Sequence, residues 1–229
     1  MMHSCINQKH VTFLVICTMI CLLGAASCTK KPAPEPGQSD AKSDPAAKGA
    51  PEAPVAAATG LVPLPIELPK PQFVGTPTNI EGIANLEKPR GKARPDVLAP
   101  AGTVNLAKDK PVTSSIEEPI MGEFSWIVDG NKEATDGSLV ELDPFTQHVT
   151  IDLEETCEIY AILVWHYHKQ QRVYLDVVAQ VASDPDFISD VQTVFNNDDD
   201  NSSGLGVGSD MNYVETSEGK LIDIVNKGV

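Results

Sequence analysis

The stretch Gln147-His148-Val149-Thr150-Ile151-Asp152-Leu153 decides the fold class. Apolar side chains at 149, 151 and 153 alternate with polar ones, the period-two pattern of a strand with one face buried. Working outward, Tyr160–His168 (Tyr-Ala-Ile-Leu-Val-Trp-His-Tyr-His) is apolar through its first two-thirds, as a strand covered on both faces is. Tyr174–Ala182 and Val191–Phe195 are further β-rich runs. The segments between them, Lys169–Val173, Ser183-Asp184-Pro185-Asp186 and Asn196–Gly208, have turn or loop compositions. Nothing shows a sustained 3.6-residue apolar stripe with caps. Short strands joined by long loops predict an all-β antiparallel β-sandwich.

The 229 residues carry 17 Lys+Arg against 32 Asp+Glu, a formal charge of −15, and the imbalance is local. Residues 1–100 hold 10 basic and 8 acidic side chains, whereas residues 101–229 hold 7 and 24. A module so acidic repels phosphate backbones, which excludes nucleic acid as a partner. Proline is skewed the other way, with 14 of 18 lying between residues 29 and 100. The expected organisation is a targeting segment over 1–27, a disordered Ala/Pro-rich linker over 28–60, an extended Pro-rich arm over 61–100, and one folded module over 101–229. A module of that length buries roughly two-thirds of its surface and sustains its own core.

The targeting segment combines Lys9 and His10, an apolar run from Val11 to Leu23, and Gly24-Ala25-Ala26-Ser27-Cys28. The run is shorter than the roughly 20 apolar residues that a membrane span needs. It has the layout of a secretory signal, and its small-small-Cys ending resembles the bacterial lipobox, which implies lipidation at Cys28. Ala25 stands where Leu is most usual. Cys5, Cys17 and Cys21 fall in the removed segment, leaving Cys157 as an unpaired packing residue and no disulfide framework. The expectation is therefore an exported lipoprotein, anchored to a membrane through its lipid and facing the periplasm or cell exterior. About 30 linker residues at about 3.1 Å each reach some 90 Å when stretched. In the arm, Leu61-Val62-Pro63-Leu64-Pro65-Ile66-Glu67-Leu68-Pro69 alternates apolar residues with proline. That pattern forbids a helix interior or central strand and suits either an extended segment lying on the module or a continuation of the linker.

Asn105-Leu106-Ala107-Lys108-Asp109-Lys110-Pro111-Val112-Thr113-Ser114-Ser115 resembles the opening strand of discoidin domains, also called coagulation factor five/eight type C domains. Val128-Asp129-Gly130-Asn131 is similar to the family's Asp-Gly-Asn loop, and Val149-Thr150-Ile151-Asp152-Leu153 to its Ile-Asp-Leu strand. Ile159–Trp165 falls where the next core strand belongs. Trp165-His166-Tyr167-His168, Phe195-Asn196-Asn197-Asp198 and Asn201-Ser202-Ser203-Gly204 resemble a subgroup found in exported planctomycete-type bacterial proteins. The resemblance implies a galactose-binding-like jelly roll. It departs from the family at Gly137-Ser138-Leu139-Val140-Glu141-Leu142, where a Trp is usual, and after Ile224–Val229, where further strands are usual. The expected jelly roll lacks its last strands, with residues 61–100 replacing them in part as the alternative. Either way, open strand edges are an aggregation liability.

Candidate site residues follow from side-chain chemistry. His166 and His168 lie two apart on one strand face, roughly 6.6 Å apart by backbone rise. With His148 they do not complete a zinc set. A polar-aromatic edge of His166, Tyr167, His168, Arg172 and Tyr174, joined by Asn197, offers stacking and fixed hydrogen-bond donors, the combination sugar sites use. The acidic loop Asn196–Ser203 reads as a solvated turn, its spacing not that of an EF-hand. The family resemblance implies a structural calcium at Asp129, Asn131 and Thr135. Gly204-Leu205-Gly206-Val207-Gly208-Ser209 fails the phosphate-loop pattern at Ser209. No Gly-x-Ser-x-Gly elbow or His-Glu-x-x-His motif is present. The functional expectation is a non-enzymatic binding module that requires no cofactor and recognises carbohydrate through loops at one end. The alternative is an envelope scaffold that docks a protein and no sugar.

Overall fold

In the computed structural model the described residues are the backbone of 14–16 together with 60–72, 80, 82–170 and 172–227. Cys28 and the linker to residue 59 lie outside them. Among the described residues eleven strands are formed: β1 Leu14–Ile16, β2 Leu61–Pro63, β3 Leu98–Pro100, β4 Val112–Ser114, β5 His148–Ile151, β6 Ala161–Val164, β7 Val173–Tyr174, β8 Val178–Val181, β9 Gln192–Asn196, β10 Tyr213–Val214 and β11 Lys220–Asp223. Helix among the described residues is confined to a 3-10 turn over Phe124–Ile127 and α1, Ile224–Lys227. The fold is all-β.

The main sheet has the order β4-β5-β1-β8-β9, and three two-stranded sheets pair β10 with β7, β11 with β6, and β2 with β3. Every strand pair is antiparallel. β5 follows the sequence pattern directly: Val149 and Ile151 are buried, His148 is exposed and Thr150 is half-buried. Its place inside the sheet follows, since a strand bonded on both sides exposes no edge.

Two expected strands differ. The run Tyr160–His168 is a strand only over Ala161–Val164, half-buried throughout and paired with β11 alone. From Trp165 onward its backbone is held by side chains rather than by a ladder. The run Tyr174–Ala182 is split into β7 and β8, because Asp176 takes a left-handed conformation with φ 55°. Aspartate tolerates that region through local hydrogen bonding. Across the break the chain changes partner, from β10 to β9. Asn197 spans the break: its Oδ1 accepts from Val177 N at 2.6 Å and its Nδ2 donates to Tyr174 O at 3.0 Å.

Between β8 and β9 the register shifts at Ala179/Gln180, so Ala179 faces Phe195 while Gln180 faces Thr193. The extra residue, Val194, is a β-bulge, and it breaks the in-out alternation so that Val194, Phe195 and Asn196 are buried in succession. The core then forms as two adjoining clusters. Tyr174, Val177, Ala179, Val194, Phe195, Tyr213, Ile222 and Ile224 make the larger. Val128, Ile151 and Leu153 make the smaller, and Ile159 and Val181 pack against both.

Residues 84–94 lie against the carboxyl-terminal strands. Asn212 N donates to Asn85 O at 2.9 Å, Glu87 N donates to Asn212 O at 2.8 Å, and Asn212 Nδ2 donates to Ala84 O at 3.0 Å. Arg94 donates from its backbone to Glu218 and from its guanidinium to Gly219 O, each at 2.9 Å. No helix among the described residues is long and apolar enough to cross a membrane.

Candidate functional site

The segment Trp165–His168 leaves β6 and is fixed at each residue. Trp165 Nε1 donates to Ser217 O at 3.0 Å. His166 N donates to Glu215 Oε2 at 3.1 Å, and the His166 ring presents Nδ1 to the same oxygen at 3.0 Å. The Tyr213 hydroxyl lies 3.3 Å from that nitrogen, and the ring stacks on Tyr174 with centroids 4.3 Å apart. Tyr174 OH donates to Tyr167 O at 3.3 Å, and His168 Nε2 donates to Lys132 O at 2.8 Å. That last bond ties the segment to the loop following Asp129-Gly130-Asn131.

Glu215 is the residue sequence reasoning missed. It is 4 % exposed, and its other oxygen accepts from Thr216 N at 3.0 Å. The only hint in the sequence is an acid following two β-rich residues in Tyr213-Val214-Glu215. With Nδ1 protonated, His166 donates to Glu215 and leaves Nε2 bare. His168, donating from Nε2, leaves Nδ1 bare. Both bare nitrogens are buried without a hydrogen-bond partner.

The five expected ligand residues therefore separate into two groups. His168 is 3 % exposed, and His166 is half-buried with its ring stacked on Tyr174. Asn197, at 2 % exposed, has its oxygen on Val177 and its amide shared between Tyr174 O and Asn212 Oδ1 at 3.1 Å. These three hold the backbone. Tyr167 and Arg172 are half-buried, and the guanidinium sits 4.8 Å from the centre of the tyrosine ring. Lys132 Nζ lies 5.3 Å from the centre of the Trp165 ring. Two cation-aromatic pairs thus flank a rigid backbone. Gly219 makes room for the indole: its φ is +70°, and a Cβ there would lie 2.7 Å from Trp165.

The acidic loop is more ordered than a solvated turn. Asp198 is fully buried and accepts from Ser202 N at 3.1 Å and Ser203 N at 2.8 Å. Burial pushes its carboxyl up, but the hydrogen bonds from Ser203 and Ser202 and the contact with Asp200 outweigh this and hold it below the ordinary range. Asp176, Asp198 and Asp200 bring carboxylate oxygens within 4.8 Å of one another, the oxygen-rich chemistry that hard cations select. Gly208, in the glycine-rich run, is there for close approach: a Cβ would meet Asn196 O at 2.1 Å. The expected calcium residues sit elsewhere, in consecutive turns. Asp129 Oδ1 accepts from Asn131 N at 2.7 Å, Asn131 Oδ1 accepts from Glu133 N at 3.1 Å, and Thr135 N donates to Ser138 Oγ at 2.8 Å.

An open cleft of about 400 Å³ lies on the side of β11, lined by residues including Glu87, Phe195, Asp210, Lys220 and Asp223. Lys220 Nζ lies 5.0 Å from the centre of the Phe195 ring in that lining and 4.6 Å from that of Tyr213, and pairs with Glu87. Cys157 is half-buried, with Sγ 3.5 Å from Glu155 O; burial first and Glu155 second raise its pKa, against a smaller pull from Lys110. No family model, curated protein or solved structure matches the chain.

Proposed function

We propose that this chain is a non-catalytic binding module that recognises neutral carbohydrate at the Tyr167–Arg172 edge of a discoidin-like jelly-roll sandwich. In this reading it is exported and held to a membrane by lipid on Cys28, and recognition needs no cofactor. The observation that carries it is the pairing of a half-buried tyrosine ring with a guanidinium at 4.8 Å on a backbone fixed from behind by His166, His168 and Tyr174. A sugar offers a flat C–H face to an aromatic ring and hydroxyls to charged donors. A platform ordered beforehand loses little entropy when it binds. Tyr167, Arg172, Lys132 and Trp165 are the contact residues, while His166, His168 and Asn197 position them.

A glycan array probed with the full chain tests this, repeated with Tyr167→Ala. Binding of neutral glycans that Tyr167→Ala weakens at least tenfold, at unchanged thermal stability, supports it. An array blank across neutral and acidic sugars removes it. A protein-docking role is the second reading, and the arrangement of the main sheet favours it.

A further inference from the structure

We infer that the gap between β5 and β8 is a strand-acceptor site, and that in the processed protein it takes an extended, apolar, proline-free strand donated by another polypeptide. The proposal rests on the reading of residues 1–27 as a removed export segment. β5 and β8 are not bonded to each other; β1, Leu14–Ile16, lies between them and pairs antiparallel with both. Val15 stands at the register of Val149 on one side and Ala179 on the other. Because β1 opposes both neighbours, β5 and β8 run in the same direction. They cannot close into the antiparallel ladder the rest of the sheet uses; they stand one strand apart, about 9.5 Å between their axes, and could meet only as a parallel pair after the two halves of the sheet moved together.

β5 is closed on its far side by β4, and β8 by β9. The free edges left by loss of β1 would therefore face each other inside the sheet, with no solvent-facing edge to blunt them. Their side chains belong to the core: Val149 is 6 %, Val178 0 % and Ala179 1 % exposed. Unbonded backbone amides beside such residues carry a penalty that water relieves poorly. The chemistry of the occupant follows. It supplies backbone N–H and C=O groups to both sides, which excludes proline. It runs antiparallel to both neighbours. At the Val149–Ala179 register it is apolar. Strand addition of this kind draws affinity from the main chain and specificity from alternate side chains.

The test uses the full chain, its Val15→Pro variant, and a synthetic peptide carrying residues 13–17 between lysine tags. Amide hydrogen exchange is expected to show β5 and β8 protected in the full chain. Protection at Val149 and Ala179 should fall at least tenfold in Val15→Pro, with the β6–β11 ladder unchanged, and the peptide should restore it. Unchanged protection in Val15→Pro, or no restoration by the peptide, overturns the acceptor site. If Val15→Pro does not fold alone, it is refolded with the peptide: a soluble one-to-one complex supports the site, and aggregation despite the peptide overturns it. The mass of the chain recovered from expressing cells judges the export reading separately. A chain retaining residues 1–27 overturns donation by another polypeptide while leaving the exchange result for the slot intact.

Discussion

Replacing Asn197 with alanine tests the assignment of this side chain to the framework rather than to the ligand. The substitution removes three buried hydrogen bonds at once, the one from Val177 N and those to Tyr174 O and Asn212 Oδ1. Each buried polar group left unsatisfied costs about 1–3 kcal/mol. The three share one cavity and are not additive, so the expected loss is about 3–5 kcal/mol. For a folded unit of this size that lowers Tm by about 10 °C. Urea unfolding of the full chain, followed by the fluorescence of Trp126 and Trp165, measures it, with Asn131→Ala as control. Asn131 is exposed and accepts one bond from Glu133 N, so its loss is expected to stay near about 0.5 kcal/mol. A loss below about 1 kcal/mol for Asn197→Ala, or a loss equal to the control, would refute the reasoning.

Gly219→Ala forces a left-handed alanine and a Cβ 2.7 Å from the Trp165 indole; it is expected to cost at least about 2 kcal/mol in thermal unfolding, and an unchanged Tm contradicts the packing described. Asp198 has a folded pKa below its unfolded value. Its stabilisation is therefore present above the unfolded pKa of about 3.9 and is lost as pH falls through the folded value. In acid titrations of stability, Asp198→Asn is expected to flatten that limb, and parallel curves for the two proteins would contradict it. Burial and Glu155 raise the Cys157 thiol, so alkylation at pH 7 is expected to run slower than for free cysteine and to accelerate as pH rises; a rate above that of free cysteine contradicts this.

The fold was legible where one residue type dominated a face. The alternation through Val149, Ile151 and Leu153 identifies β5 because the structure buries alternate residues there. The split of Tyr174–Ala182 was not legible, since the break depends on Asn197, twenty residues away from Val177, and on a left-handed Asp176. The bulge at Val194 was hidden for the same reason: it exists only relative to β8. At the candidate site the aromatic and histidine residues were visible as a composition, but burial sorted them, and burial is set by Glu215, Tyr213 and Lys132 from distant segments. The strand between β5 and β8 was also unreadable, because the apolar run around Leu14–Ile16 has the same composition whether it crosses a translocation path or pairs in a sheet.

The central claim is that the Tyr167–Arg172 edge contacts a sugar. Chemical-shift mapping of the full chain titrated with a neutral oligosaccharide tests it most directly. Saturable shifts are expected at Tyr167, Arg172, Lys132 and the Trp165 indole, with the half-buried His166 and the buried Asn197 nearly unmoved. Shifts confined to the Lys220 cleft, or none at millimolar sugar, would contradict it.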